Sequence, residues 1–353
     1  MGAAEKTRNS NMELLRILAI TFIVLYHLSV FFTVSANYES SFMYAINLML
    51  HTGVLLFVLI SGYFGIVFSF RGLFKLLAMM FVYYVPLMLV WRYLPFGGEK
   101  GKLLDTICFV SRTPYWYVRT YLILFVLSPI INSCIAAINT KQRFFILGTL
   151  ALCAVYFAIV GKDASLSGGK NIVNFFFIYL IGNTIRLYET YLKKALKLRV
   201  FYIWLAYNVI FVSFCYFFKG TTLSNAVFAL NFIYCSPGLI LNAVLLFLAF
   251  TDLRLESKTI NYLAVSVLAV YLIQEHPVVR YFLKTAVVKL LSGNAFETKA
   301  ILVILIWITL SITVVVAALF IDKLFAPAWK LAQKAGSRLD KRINLGFSRP
   351  EQY

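Results

Sequence analysis

The chain holds only three histidines, His27, His51 and His276, and each falls inside a long apolar run. Imidazole is the side chain best suited to take and give a proton near neutral pH. In an apolar run it needs either a polar partner or a function. Arg16 stands eleven residues before His27. On one helix, eleven steps of about 100° return to nearly the same face, roughly 16 Å further along the axis. A guanidinium at one end of a stripe and an imidazole three turns deeper suit a ligand with an anionic end and a reactive end. The same spacing fits an interfacial anchor followed by an unrelated core histidine. The three histidines are expected either to line one polar chamber or to make scattered hydrogen bonds between helices.

Other residues stand out for the same reason. Gln274, Glu275 and His276, followed by Pro277, form a polar break in an apolar run. A buried carboxylate beside an imidazole can orient a histidine or accept a sugar hydroxyl. Arg71 and Lys75, one helical turn apart, suit phosphate groups or serve as ordinary anchors at the membrane surface. Ser61-Gly62-Tyr63 places small residues where helices can approach closely. Tyr115, Trp116 and Tyr117 read as an aromatic belt at a membrane interface.

The elements that must position these groups are membrane helices. Of 353 residues, 61% are hydrophobic and 13% charged, against about 25% charged in a soluble domain. The apolar residues come in runs rather than stripes, and a span needs roughly 20 of them. Spans are expected near 14–34, 43–68, 76–95, 115–138, 144–160, 172–188, 200–218, 226–250, 260–283 and 300–321. The expected fold is therefore an all-α integral membrane protein of about ten transmembrane helices. The larger share of Lys and Arg falls on the side of the N-terminus, which predicts both termini in the cytoplasm of a multi-pass plasma-membrane protein. Val34-Ser35-Ala36 after the first run imitates a signal-peptide cleavage site, but the run is too long for that reading and carries His27.

The net charge of +19 accompanies residues that flank apolar runs. Orientation and anionic headgroups account for it without nucleic acid. The five cysteines lack metal-ligand spacing, so no metal and no disulfide framework is expected. Residues 1–325 read as one membrane domain and 326–353 as a basic cytoplasmic tail. That tail is either solvated or laid on the inner leaflet, where each basic residue contributes roughly 1 kcal/mol.

Taken together, these residues resemble the membrane acyltransferase family of the acyltransferase-3 type, which includes bacterial O-acetyltransferases of surface polysaccharides. The resemblance runs over roughly residues 9–325 and rests on four segments. They are Asn11-Met12-Glu13-Leu14-Leu15-Arg16-Ile17-Leu18-Ala19 with His27, Phe57 to Tyr63, Trp116-Tyr117 leading to Leu127-Ser128-Pro129, and Val270 to Pro277. It implies a ten-helix fold and transfer of an acyl group, usually acetyl from acetyl-CoA, to a hydroxyl. The family's Arg-x10-His pattern matches Arg16 and His27. Its basic pair is usually Arg-x-x-Arg, whereas this chain has Arg71 and Lys75.

On that resemblance, Arg16, Arg71 and Lys75 are expected to meet the donor's phosphates. His27 would act as base or as acyl carrier, and Glu275 or His276 would orient the acceptor or assist proton transfer. The acceptor would be a sugar on a lipid-linked or cell-surface glycan. A flippase for a lipid-linked sugar, a non-enzymatic assembly or sensor protein, and a succinyl donor in place of acetyl are the alternatives.

Overall fold

In the computed structural model, residues 9–36, 41–94, 102–154, 156, 168–196, 199–218, 221, 233–291 and 300–346 are described. Every regular element among them is helical. They are α1 (Ser10–Ala36), α2 (Ser41–Leu50), α3 (Gly53–Phe64), α4 (Phe70–Tyr93), α5 (Leu103–Ile107), α6 (Trp116–Ala137), α7 (Thr140–Leu152), α8 (Ile172–Leu187), α9 (Glu189–Leu196) and α10 (Arg199–Phe217). There follow α11 (Pro237–Thr251), α12 (Lys258–Ala264), α13 (Val267–Gln274), α14 (Pro277–Leu291), α15 (Ala300–Leu324) and α16 (Ala326–Ile343).

Among the described residues, five helical stretches are long and apolar enough to cross a membrane, and two bent pairs bring the number to seven if each is one span. The expected ten are not all present as such among the described residues. The sixth expected span appears as the short apolar helix α8; of the eighth, 226–250, the described part is α11, and residues 226–232 lie outside the described residues. The fifth, 144–160, runs beyond the described residues. The second, 43–68, is present as one candidate span over Ile46–Phe64, with a two-residue turn at His51 and Thr52 between α2 and α3.

Helix α1 is the hub of the bundle. It packs against α2, α3, α11, α12, α13, α14 and α15. Leu15, Ala19, Val24 and Leu28 on it are fully buried. Its length follows from 27 residues without Pro or Gly. Asn11, His27 and Ser29 on α1 hydrogen-bond to groups on α11, at the bend after α13 and on α2.

Helix α3 crosses α8 at two glycines. Gly62 faces the Tyr179 carbonyl and Gly182 faces the Leu59 carbonyl so closely that a Cβ at either would collide with backbone. After α3, Gly65 turns the chain with φ of 72°, and the chain runs non-helical to Ser69. Non-helical backbone at membrane depth must find partners inside the protein. Here the Ile66 N–H donates to Tyr179 Oη at 2.9 Å, Asn132 Nδ2 donates to the Ile66 carbonyl at 2.7 Å, and Tyr179 Oη donates to Asn132 Oδ1 at 2.7 Å. Ser69 then caps α4 by accepting from the Gly72 N–H. The start of α4, with Arg71 and Lys75, is thereby fixed.

The ninth expected span, 260–283, is broken where the polar residues predict it. The axis bends by 75° between α13 and α14. Pro277 has no N–H to continue the first helix and restricts the residue before it. Gln274, Glu275 and His276 lie at the bend and are all buried. The Leu272 carbonyl near the break receives the Tyr115 hydroxyl at 2.8 Å.

Candidate active site

Helix α1 and the bend after α13 bring His27 and Glu275 together. His27 Nδ1 lies 2.9 Å from Glu275 Oε1 and 3.0 Å from Gln274 Oε1. Two acceptors on one ring nitrogen assign the proton to Nδ1, so Nε2 carries the lone pair. Gln274 Nε2 donates to Glu275 Oε1 at 2.6 Å. Arg280, one turn into α14, donates from one nitrogen to both Glu275 oxygens at 2.8 and 2.7 Å. The carboxylate therefore has a cation behind it and an imidazole in front. The Glu275 side chain is 6% exposed and that of His27 17%.

A cavity of about 330 Å³ lies along α1 and α13 on the Arg16 side of this pair, and neither His27 nor Glu275 is among its lining residues. Arg16 and Lys75 line one part of it, with Ser61 and Tyr121. Ile20, Ile23, Phe57, Tyr117 and Tyr271 line it further along. Ile23 is one turn before His27 on α1, and Tyr271 is one turn before Glu275 on α13. The cavity thus climbs the α1 face from Arg16 to within a turn of the imidazole. Arg16 is held by Glu13 at 3.1 and 3.2 Å, and its side chain keeps 31% of its surface exposed.

The other expected site residues go elsewhere. Arg71 is exposed on the first turn of α4, one turn before Lys75, and does not line this cavity. His276 is buried with both ring nitrogens engaged by backbone: Nε2 donates to the Tyr84 carbonyl at 3.3 Å, and Nδ1 accepts from the Val278 N–H at 3.2 Å. His51 stacks on Tyr234 with ring centroids 4.3 Å apart and meets the Tyr26 ring edge-on at 4.7 Å. His27 and His51 flank the Tyr26 ring, with centroids 5.6 and 4.7 Å from it, whereas His276 packs against Tyr84. Among the described residues, no group of three His, Cys, Asp or Glu side chains is placed to hold a metal ion.

The aromatic-belt reading of 115–117 needs correction. Tyr115 is fully buried, and Tyr117 is buried against Tyr271 with centroids 5.7 Å apart. They line the interior because α6 begins inside the bundle, against α13. Sequence reasoning gives Gln274 only as part of the polar break and misses Arg280. The signal for Arg280 was its position five residues after Glu275 in an apolar segment, which is how an internal ion pair looks in sequence.

A family model described as an acyltransferase domain matches residues 9–322, nearly the whole chain. No curated protein and no solved structure matches the chain.

Proposed function

Starting from the chain's membership of the acyltransferase-3 family, we propose that this multi-pass membrane acyltransferase moves acetyl from acetyl-CoA to a sugar hydroxyl of a cell-surface or lipid-linked glycan. The observation that supports this reading is the cavity lined by Arg16 and Lys75 that reaches Ile23 and Tyr271, one turn from His27 and Glu275, with Glu275 fixing the imidazole tautomer. On this reading both termini lie in the cytoplasm, the donor enters from that side of the plasma membrane, and the acceptor arrives from the other.

Arg16 and Lys75 meet the donor's phosphates, with Arg71 exposed one turn ahead of Lys75. The pantetheine arm follows the α1 face past Ile20 and Ile23. The thioester end crosses the remaining turn to His27. His27 Nε2 takes the proton of the acceptor hydroxyl as its oxygen attacks the thioester carbonyl. The tetrahedral intermediate then expels the coenzyme A thiolate, which takes that proton from the imidazolium. Glu275 stabilises the imidazolium without itself taking a proton. His276, held by backbone at both nitrogens, supports the bend rather than the proton path.

The test is mass spectrometry of surface glycans from cells with and without the protein, and with His27→Gln at matched membrane level. One acetyl mass unit is expected only with the native chain. Retained acetylation by His27→Gln removes His27 from the chemistry, and a succinyl increment replaces the donor assignment.

A further inference from the structure

Past the end of the Arg16 cavity, the helices that wall it carry a second group of side chains. Along α1 the lining runs from Arg16 to Ile23, and Tyr26 and His27 follow without joining it. On α3 and α6 the lining residues are Phe57, Ser61, Tyr117 and Tyr121. His51, just ahead of α3, and Trp116, the first residue of α6, are not among them. The excluded residues form one series of ring contacts. His27 lies 5.6 Å from Tyr26 between centroids, Tyr26 4.7 Å from His51, His51 4.3 Å from Tyr234, and Tyr234 5.1 Å from Trp116. Lys170 closes the series, with Nζ 5.4 Å from the centre of the Trp116 ring.

This series reaches the surface. Lys170 is exposed, and Trp116 and Tyr26 are half-buried. His27 keeps 17% of its side-chain surface although it does not line the Arg16 cavity. The backbone that carries Lys170 and Tyr234 is clamped in place. Gly168 and Gly169 take φ of 58° and 87°, a conformation that glycine adopts without strain. The Tyr234 N–H donates to the Gly168 carbonyl at 3.1 Å. Buried Asn174 donates from Nδ2 to the carbonyls of Gly169 at 3.0 Å and Tyr234 at 3.2 Å. A Cβ on Gly169 would strike the Cys235 backbone nitrogen. Two irregular segments are thus locked together, and the ammonium that they hold over Trp116 makes no ion pair among the described residues.

We infer that this series is the acceptor subsite and that the acceptor is an acidic glycan. One of its sugar rings stacks on Trp116, and its carboxylate or phosphate meets Lys170 Nζ. The hydroxyl to be acylated lies further along the rings, at His27. The inference rests on the acyl-transfer reading and names the acceptor class for it.

Surface glycan is stripped of its esters with mild alkali and returned as acceptor to membranes carrying the full-length protein, with acetyl-CoA. Mass spectrometry identifies the glycan fragment that regains an acyl group. That fragment is expected to carry a carboxylate or a phosphate, and its mass tells the two apart. Lys170→Gln should raise the apparent KM for this acceptor about tenfold with the KM for acetyl-CoA unchanged, and Lys170→Arg should restore most of it. Trp116→Phe should raise the acceptor KM about threefold, and a native value there overturns Trp116 as the stacking platform. A neutral acylated fragment, or an acceptor KM that Lys170→Gln leaves unchanged, overturns the inference while the acyl-transfer reading stands. An equal rise in both KM values in Lys170→Gln marks a general disturbance of the fold and overturns it too. No acyl group on any glycan with the native chain overturns the acyl-transfer reading, and this inference with it.

Discussion

Replacing Glu275 by Gln removes a charge and little else. The amide keeps the shape and can still accept from Arg280 and from His27. The loss falls on the transition state, where the imidazole becomes an imidazolium facing Nδ1's partner. Opposite charges about 4 Å apart interact by about 4 kcal/mol at an effective dielectric constant near 20. Arg280, bonded to both carboxylate oxygens and 38% exposed, offsets part of that attraction in the native protein. A net loss of about 3 kcal/mol corresponds to a rate reduction of about two orders of magnitude. Where a carboxylate alone sets the tautomer, its amide variant loses about 10⁴-fold. Here Gln274 Oε1, 3.0 Å from Nδ1, should keep the proton in place and limit the damage. The assay is coenzyme A thiol release by membranes carrying equal amounts of protein, with the glycan product measured by mass. A Glu275→Gln rate within about threefold of native would falsify the electrostatic role. A loss as deep as that of His27→Gln would show instead that Gln274 does not hold the tautomer. The double variant Gln274→Met with Glu275→Gln should fall a further tenfold or more.

Arg16→Ala should raise the apparent KM for acetyl-CoA by about tenfold, as loss of one charge-assisted contact of about 1.5 kcal/mol requires, with a smaller rise for Lys75→Gln. Unchanged donor affinity in both would exclude this cavity as the phosphate end. His276→Gln removes two backbone-directed hydrogen bonds at the bend. It should cost about 1–3 kcal/mol of stability while activity per folded molecule stays within about threefold, and a selective loss of turnover would return His276 to the chemistry. Gly62→Val forces α3 off the Tyr179 carbonyl and should lower the yield of folded protein sharply; normal yield and thermal stability would contradict the close helix crossing.

The sequence shows some of this and hides the rest for identifiable reasons. The polar break was legible because Pro277 ends a helix wherever the chain goes. The shared face of Arg16 and His27 follows from helical pitch alone, and the cavity beside α1 accords with it. The meeting of His27 with the bend was not legible, since 247 residues separate it from Gln274 and no local pattern records that contact. The burial of Tyr115 and Tyr117 was hidden because a helix apolar on all sides has no moment to reveal its inward face. The two-residue turn at His51 and Thr52 inside the second span leaves little trace in an apolar run. Helix α16 shows a different gap. Its basic stripe was plain, but Trp329, Gly336 and Asp340 gave no sign that the opposite side is docked on α4.

The cavity ends one turn short of the imidazole, at Ile23 and Tyr271. On the proposed reading this spacing separates two compartments of the cell as well as two substrates. Water that follows the donor inward has to pass Tyr117 and Tyr271 before it meets a base able to activate it. An idle enzyme would then neither squander its thioester by hydrolysis nor offer protons a continuous wet path through the bilayer.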